Sequence, residues 1–295
     1  MNASNAIPKI EFDYEKSGKL EFELFDIRFL YDQGIKHEPP PTSPHRVAFH
    51  TLIYIESGEG RHCIDFEYYD FSPGTFIFVQ PGQVHAWDFS NKPKGLIFVF
   101  TPVFIEQLET KMSIPFQRAP ANLHYQNSPL LFLDEQNDER IRRLVTEIAT
   151  EQAMQNTDSL VVMHLFSALY LLLNRLRPAS PFKSLLPKQN QMFSEFLSLL
   201  EANFRRVRDA NWYANNLHVT YKTLNQISKL ATDRTVKQLI DDYAAAEIKR
   251  LLAISSVTIQ TLAFDFGFDD ISNFNKFFKK HVNMTPGQFQ KQYSA

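Results

Sequence analysis

The stretch from Asp209 to His281 holds two helix-turn-helix patterns in tandem, and it narrows the possible folds more than any other feature of the chain. The second pattern is the clearer. Ile259, Leu262, Ala263 and Phe266 fall at i, i+3, i+4 and i+7, one apolar face of a helix, and Thr258 stands at its start as a natural cap. Gly267 supplies the left-handed backbone that ends such a helix sharply. Asp269 or Asp270 then caps a second helix, running from Ile271 to about His281. Its apolar face is Phe274, Phe277 and Phe278; its other face carries Ser272, Asn273, Asn275, Lys276, Lys279 and Lys280. Small polar groups followed by lysines suit a helix whose start meets base edges and whose end meets phosphates.

In the first pattern, Asp209 caps a helix with Trp212, Tyr213, Ala214 and Leu217, His218 and Val219 form the turn, and Thr220 caps the next helix, Tyr221 to Leu230. Leu224, Ile227 and Leu230 are expected to face inward, and Lys222, Thr223, Asn225, Gln226 and Lys229 outward. Asn and Gln suit adenine and Lys suits guanine, so Asn273, Lys276, Lys222 and Gln226 are candidate base readers. Lys279 and Lys280 are candidate phosphate contacts. Between the patterns lies a helical stretch, about Val236 to Ile254, with Leu239, Ile240, Tyr243, Ile248, Leu251 and Leu252 on its buried side. At 1.5 Å per residue it is about 28 Å long, near the roughly 34 Å of one duplex turn. A strut of that length points to double-stranded DNA as the partner.

From about residue 188 to 295 the chain resembles the DNA-binding domain of the AraC/XylS family of transcription regulators. The resemblance rests on Ala-x-x-x-Gly-Phe at 263–268, Ser272-x-Phe274, Phe278-Lys279-Lys280, Thr285-Pro286 and Lys249-Arg250-Leu251-Leu252. There are departures. Ala244 replaces a usual strut arginine and Ile248 a usual alanine, while Asp233, Asn283 and His218 stand where turn glycines are usual. Asn and Asp tolerate left-handed backbone better than most residues, so those turns are expected to survive.

A length of 295 residues suggests two domains. Only 9 glycines argue against a mainly β protein with many tight turns, and Phe is abundant at 27. The net charge of −2 divides unevenly, +5 over 181–295 and −7 over 1–180, so a basic carboxyl half fits a nucleic-acid footprint and an acidic amino half does not. Cys63 is the only cysteine, which excludes an intramolecular disulfide and reads as a packed strand residue. With no positively charged, apolar leader, a cytoplasmic setting is expected. The opening Met1 to Ala6 is small and polar. The most apolar run, Leu160 to Leu176, contains His164, Ser167 and Asn174 and is shorter than the ~20 residues of a membrane span, so no membrane partner is expected.

Residues 7–105 read as strands: partial alternation at Phe22, Leu24, Ile27, Phe29 and Tyr31, then Phe49 to Ile55, Arg61 to Phe66, Thr75 to Gln80 and Leu96 to Thr101. Turns at Ser57-Gly58-Glu59-Gly60, Phe71-Ser72-Pro73-Gly74 and Pro81-Gly82 separate them, the pattern of a small barrel or sandwich. Ser57-Gly58-x-Gly60, Ser72-Pro73-Gly74 and Pro81-Gly82-x-x-His85 resemble, in order, the cupin-type sensor half of the same family. That resemblance implies a jelly-roll barrel able to hold a small-molecule effector. Arg46, His85 and Trp87 are candidate effector contacts; Phe49, Tyr54, Phe78, Trp87 and Phe98 are mostly core. His45, His50 and His85 invite a metal reading, since cupin enzymes hold a divalent metal with three histidines and a carboxylate. The chain has no His-x-His pair, and Thr51 replaces the usual glutamate seven residues before Gly58, so neither metal nor cofactor is expected.

Residues 137–177 form a helical pair. Ile141, Leu144, Val145 and Ile148 make one apolar stripe; Leu165, Leu169, Leu172 and Leu176 recur at near-heptad spacing, which suits either a cover for the barrel or a homodimer interface, the latter favoured by the resemblance. The expected fold is α+β in two domains: a cupin-like effector-binding barrel at 1–136, a helical dimerisation pair at 137–178, a linker at 179–190, and an all-α tandem helix-turn-helix DNA-binding domain at 191–295 whose first helix runs from Gln191 to about Val207. The expected function is a sequence-specific, effector-controlled transcription regulator without catalytic residues, with RNA polymerase a further candidate partner. The alternatives are a metal-dependent cupin enzyme with a helical appendage and a protein-binding adaptor.

Overall fold

The computed structural model describes residues 9–10, 20–31, 40–112, 128–154, 158–177, 185–254 and 257–293. The polar start 1–6, Pro39, Pro178 and residues 179–184 of the expected linker lie outside them. The described chain forms two compact units, one within Pro8–Gln117 and Ser128–Pro178, the other within Ala179–Ala295.

The first unit is a β-sandwich. One sheet has the order β1 (Lys9–Ile10), β3 (His45–Val47), β8 (Val84–Trp87), β5 (Gly60–Ile64), β6 (Glu67–Phe71). The other has the order β10 (Leu130–Phe132), β7 (Thr75–Val79), β4 (His50–Ser57), β9 (Lys94–Phe100), β2 (Phe22–Asp26). Between them lie Val47, Phe49, Ile53, Ile55, Ile64, Ile77, Val79, Trp87, Ile97 and Val99. Alternation puts Leu52, Tyr54, Phe76, Phe98 and Phe100 on the outer face of the second sheet, in a second core shared with α1 (Pro102–Met112), α2 (Glu135–Ala153) and α3 (Ser159–Leu176). Tyr54 also donates to Asp138 of α2 at 2.6 Å, and Asp138 pairs with Arg142. The helical pair thus covers the barrel: Ile141, Val145, Ile148, Val162, Phe166, Leu169 and Leu173 are buried in that core.

Several expected boundaries move. Alternation over Phe22 to Tyr31 stops at Asp26, where a 3-10 turn, Ile27–Leu30, begins. The strand read as reaching Phe66 ends at Ile64, because Asp65 and Phe66 have φ of 49° and 72° and make a two-residue hairpin turn, and β6 returns beside β5. The linker expected at 179–190 is cut short, since α4 starts at Pro187 and ends at Asn203. Proline suits the first turn of a helix, where its missing N–H leaves no bond unmade, and Gln189 Oε1 accepts from Leu186 N at 3.0 Å.

The second unit is helical: α4, then α5 (Ala210–Asn216), α6 (Tyr221–Thr232), α7 (Val236–Ile254), α8 (Ile259–Asp265), α9 (Ile271–Val282) and α10 (Pro286–Tyr293). The expected caps form: Asp209, Thr220, Thr258 and Asp270 each accept a backbone N–H of the following turn. Helices α6 and α9, the expected reading helices, are the same device fifty residues apart. Each runs 12 residues, ends in a left-handed residue (Asp233, φ 54°; Asn283, φ 60°), and is followed by a threonine whose N–H donates to a glutamine Oε1, Thr235 to Gln238 and Thr285 to Gln288. The polar substitutes for glycine hold those turns, as does His218 at φ 55°.

Candidate DNA-reading and effector sites

Each reading helix keeps one face in the core and turns a polar face to solvent. Leu224 and Ile227 in α6, and Phe274 and Phe278 in α9, are buried. Leu230, expected inward, is 43% exposed, and Ala231 takes the inward position instead. Lys222, Thr223, Gln226 and Lys229 on α6 are exposed, as are Ser272, Asn273, Lys276, Lys279 and Lys280 on α9.

Two residues expected to face DNA, Asn225 and the candidate base reader Asn273, are occupied differently. Asn225 is half-buried and its Oδ1 accepts from Val236 N at 3.1 Å, so it caps the strut α7 instead of facing out. For its counterpart Asn275, the residue at the matching place is Pro286, which has no N–H to cap. Asn273 Nδ2 donates to Asp270 Oδ2 at 2.7 Å, which ties that amide to the helix start. Replacing Asn225 with alanine is expected to destabilise the helical unit by ~1 kcal/mol, the usual cost of a lost cap, with no change in base preference; thermal unfolding and duplex selection check the two halves.

The effector candidates separate. His85 lies on the inner barrel face, 3% exposed, and Trp87 beside it at 5%. Arg46 sits between His45 and Val47 in β3, so strand alternation turns it away from them. Of the histidines singled out for a metal, His50 stacks on Phe100 at 5.2 Å, on the outer side of the second sheet, while His45 and His85 pair across β3 and β8. The third interior histidine is His62, which the sequence reading passed over. Its alternation with Ile64 along β5, with Arg61 and Cys63 on the other face, was the available signal.

His62 Nε2 lies 3.1 Å from His85 Nδ1, the His45 and His85 ring centroids are 4.2 Å apart, and His62 meets Trp87 edge-on at 4.4 Å. His45 Nδ1 donates to the Ser43 carbonyl at 2.9 Å. Burial disfavours the charged form of all three: His62 is pushed down to about 3, with His45 a further cause, His85 falls well below the ordinary histidine range, and His45 is lowered. The cluster is therefore neutral at pH 7, with His62 Nδ1 and His85 Nε2 buried and without hydrogen-bond partners. Among the described residues no group of three His, Cys, Asp or Glu side chains is placed to hold a metal. A separate groove of about 370 Å³ opens on the outer face of the first sheet, lined by Arg61, Cys63, Tyr68, Ala86 and Asp88 with the edges of Trp87 and Phe89.

Residues 38–92 match the AraC-like ligand binding domain, and residues 213–292 match a helix-turn-helix domain. The class so defined is a DNA-binding transcription regulator with a ligand-binding half. The HTH-type transcriptional activator RhaR of Mannheimia succiniciproducens is 21% identical over 266 residues, 88% of this chain and 90% of that one. RhaS of Escherichia coli O157:H7 is 22% identical over 82% of this chain and 85% of its own. ToxT of Vibrio cholerae aligns over 94% of this chain and all of its own at 12% identity and a TM-score of 0.47. The two halves of the chain thus match, in order, the ligand-binding and helix-turn-helix domains of AraC-type transcription regulators, and the relatives that it matches are transcriptional activators.

Proposed function

We propose that α6 and α9 read successive major grooves of one duplex and that the barrel's inner histidines hold the effector. The observation that carries the DNA half is the duplicated reading helix: the same length and left-handed stop, with an exposed polar face each time. Lys276 is in the middle of α9, where base edges lie, and Lys280 is near its end, where phosphates lie. Lys276→Ala is expected to change which sequences are preferred. Lys280→Ala is expected to weaken all sequences alike and to lower the salt slope by about 0.9. Binding to selected and scrambled duplexes across a salt series measures both. Full-length protein with no salt-sensitive, sequence-selective affinity for duplex would overturn the reading.

For the effector, two neutral, unpartnered imidazole nitrogens in an apolar barrel favour an uncharged molecule with hydroxyl or amide groups over an ion. His85 and Trp87 remain contacts in this reading, His62 and His45 join them, and Arg46 does not. Mass analysis of small molecules released from purified protein tests this, with His62→Leu expected to lose the ligand.

A homodimer is supported by the outer side of α3. While one face of that helix enters the core, Leu160 (48% exposed), Val161 (40%) and Leu171 (50%) line another with Leu165 and Leu172 half-buried. The same helix is the one described segment long and apolar enough to cross a membrane, with a mean hydropathy of 1.5. Its packing against a sheet and the family's function favour a dimer in the cytoplasm, with RNA polymerase as a partner at the promoter.

A further inference from the structure

Two neighbouring acids on the strut, Asp241 and Asp242, each meet side chains from other segments of the DNA-binding unit. Asp241 accepts from Arg208 at 3.0 Å and from Lys237 at 2.6 Å. Arg208 precedes α5, and its guanidinium lies over the touching rings of Phe268 and Phe277, 4.2 and 4.1 Å from their centroids. Phe277 belongs to α9. Asp242 pairs with Arg234, in the turn after α6, and its Oδ1 lies 3.8 Å from His281 Nδ1 of α9. His281 in turn packs on Phe277 at 4.6 Å. Phe277 and His281 are one helical turn apart, on the side of α9 away from Lys276 and Lys279.

An apolar side chain would cover Phe268 and Phe277 with no polar cost. Arg208 covers them with Nε buried and without a hydrogen-bond partner, a cost that an apolar residue avoids. What the arginine adds is a directional link to Asp241. Asp242 likewise adds little to burial and joins the end of one reading helix to the flank of the other.

We propose that Asp241 and Asp242 are positioning residues for DNA reading, locking α9 to the strut and to the first helix-turn-helix so that both reading helices meet the duplex at one fixed spacing. The inference rests on the DNA reading proposed above. Two rigidly spaced contacts act as one bidentate ligand, whereas loosening one lowers the effective concentration of the second.

The first test needs no DNA. Spin labels at Gln226→Cys and Lys276→Cys, in full-length protein carrying Cys63→Ser, report the distance distribution between α6 and α9. A single narrow distribution is expected, broadened by Asp242→Asn and, more mildly, by Arg234→Gln, which opens the same junction should the first variant fail to fold. An unchanged width in both variants overturns the proposal. The second test uses unlabelled protein and a randomised duplex pool. Wild type is expected to select two sequence blocks at one spacing; Asp242→Asn is expected to keep the blocks, spread their spacing, and lose about tenfold in affinity for the two-block duplex while staying within about twofold on a single block. Equal loss on both duplexes overturns the proposal. Wild type selecting no sequence defeats the DNA reading instead, with the label distances still deciding the role of the acids.

Discussion

Acidification from pH 7 to 5 is expected to destabilise the barrel while leaving the stability of the DNA-binding unit nearly unchanged. His45, His62 and His85 are buried and held neutral in the native state. In the unfolded chain each returns to an ordinary pKa of ~6.5. Above that pH both states are neutral and the histidines leave stability unchanged. As pH falls below it, the unfolded chain takes up protons that the native barrel refuses, so stability drops until the native pKa values are reached, about 3 for His62. The loss is ~1.4 kcal/mol per pH unit for each histidine so held, about 2 kcal/mol at pH 5 from His62 alone, with His45 and His85 acting in the same direction. Set against the usual 5–15 kcal/mol of domain stability, the sum is large. Neither histidine described in the helical unit, His218 or His281, is buried. Urea unfolding at pH 7 and 5, followed at Trp87 and Trp212 separately, measures the effect; equal barrel midpoints at the two pH values would contradict it. His62→Leu is expected to shallow the pH dependence by about one proton.

Gly95→Ala is expected to abolish the barrel at any pH. Gly95 lies in β9 opposite Ile55, beside the register shift between Ile55 and Ser57. A Cβ there would stand 2.0 Å from the Tyr54 carbonyl oxygen and 3.0 Å from its carbon. Those are backbone atoms of the central strand β4, so relief requires parting the sheet that carries both cores. The cost is expected to exceed ~4 kcal/mol, the range reached when a packed backbone has no room to move. Gly82→Ala is the contrast: nothing lies within 4 Å of its Cβ position, and only the φ of 83° is disfavoured, worth ~1–2 kcal/mol. Two-stage unfolding that loses its barrel transition in Gly95→Ala and keeps it in Gly82→Ala fits this account; a native-like barrel in both would refute it.

The helical half was read from the chain almost element by element, because its signals are local. A cap such as Thr258 and its partner Thr261 lie three residues apart, and the left-handed stops at Asp233 and Asn283 follow from backbone tolerance alone. The barrel was read less well. Val84 to Trp87 shows no alternation because all four residues are buried, and Glu67 to Phe71, with only its last residue buried, carries too little apolar pattern to mark a strand. Helix α1 follows β9 directly and was missed between two strand-like runs. Asn225 was expected to face outward to DNA since helical periodicity places it at the margin of the exposed face; its bond to Val236, eleven residues on, is a tertiary fact.

Periodicity, caps and motif order by themselves determined the tandem reading helices, the strut and the existence of a β-rich sensor half, since each depends on residues within a few positions of one another. Tertiary structure alone decided that His45, His62 and His85 converge, that the helical pair covers the barrel, and that two strut acids join the reading helices. Those outcomes depend on strand register and helix packing between distant segments, where a slip of one residue turns every side chain to the opposite face.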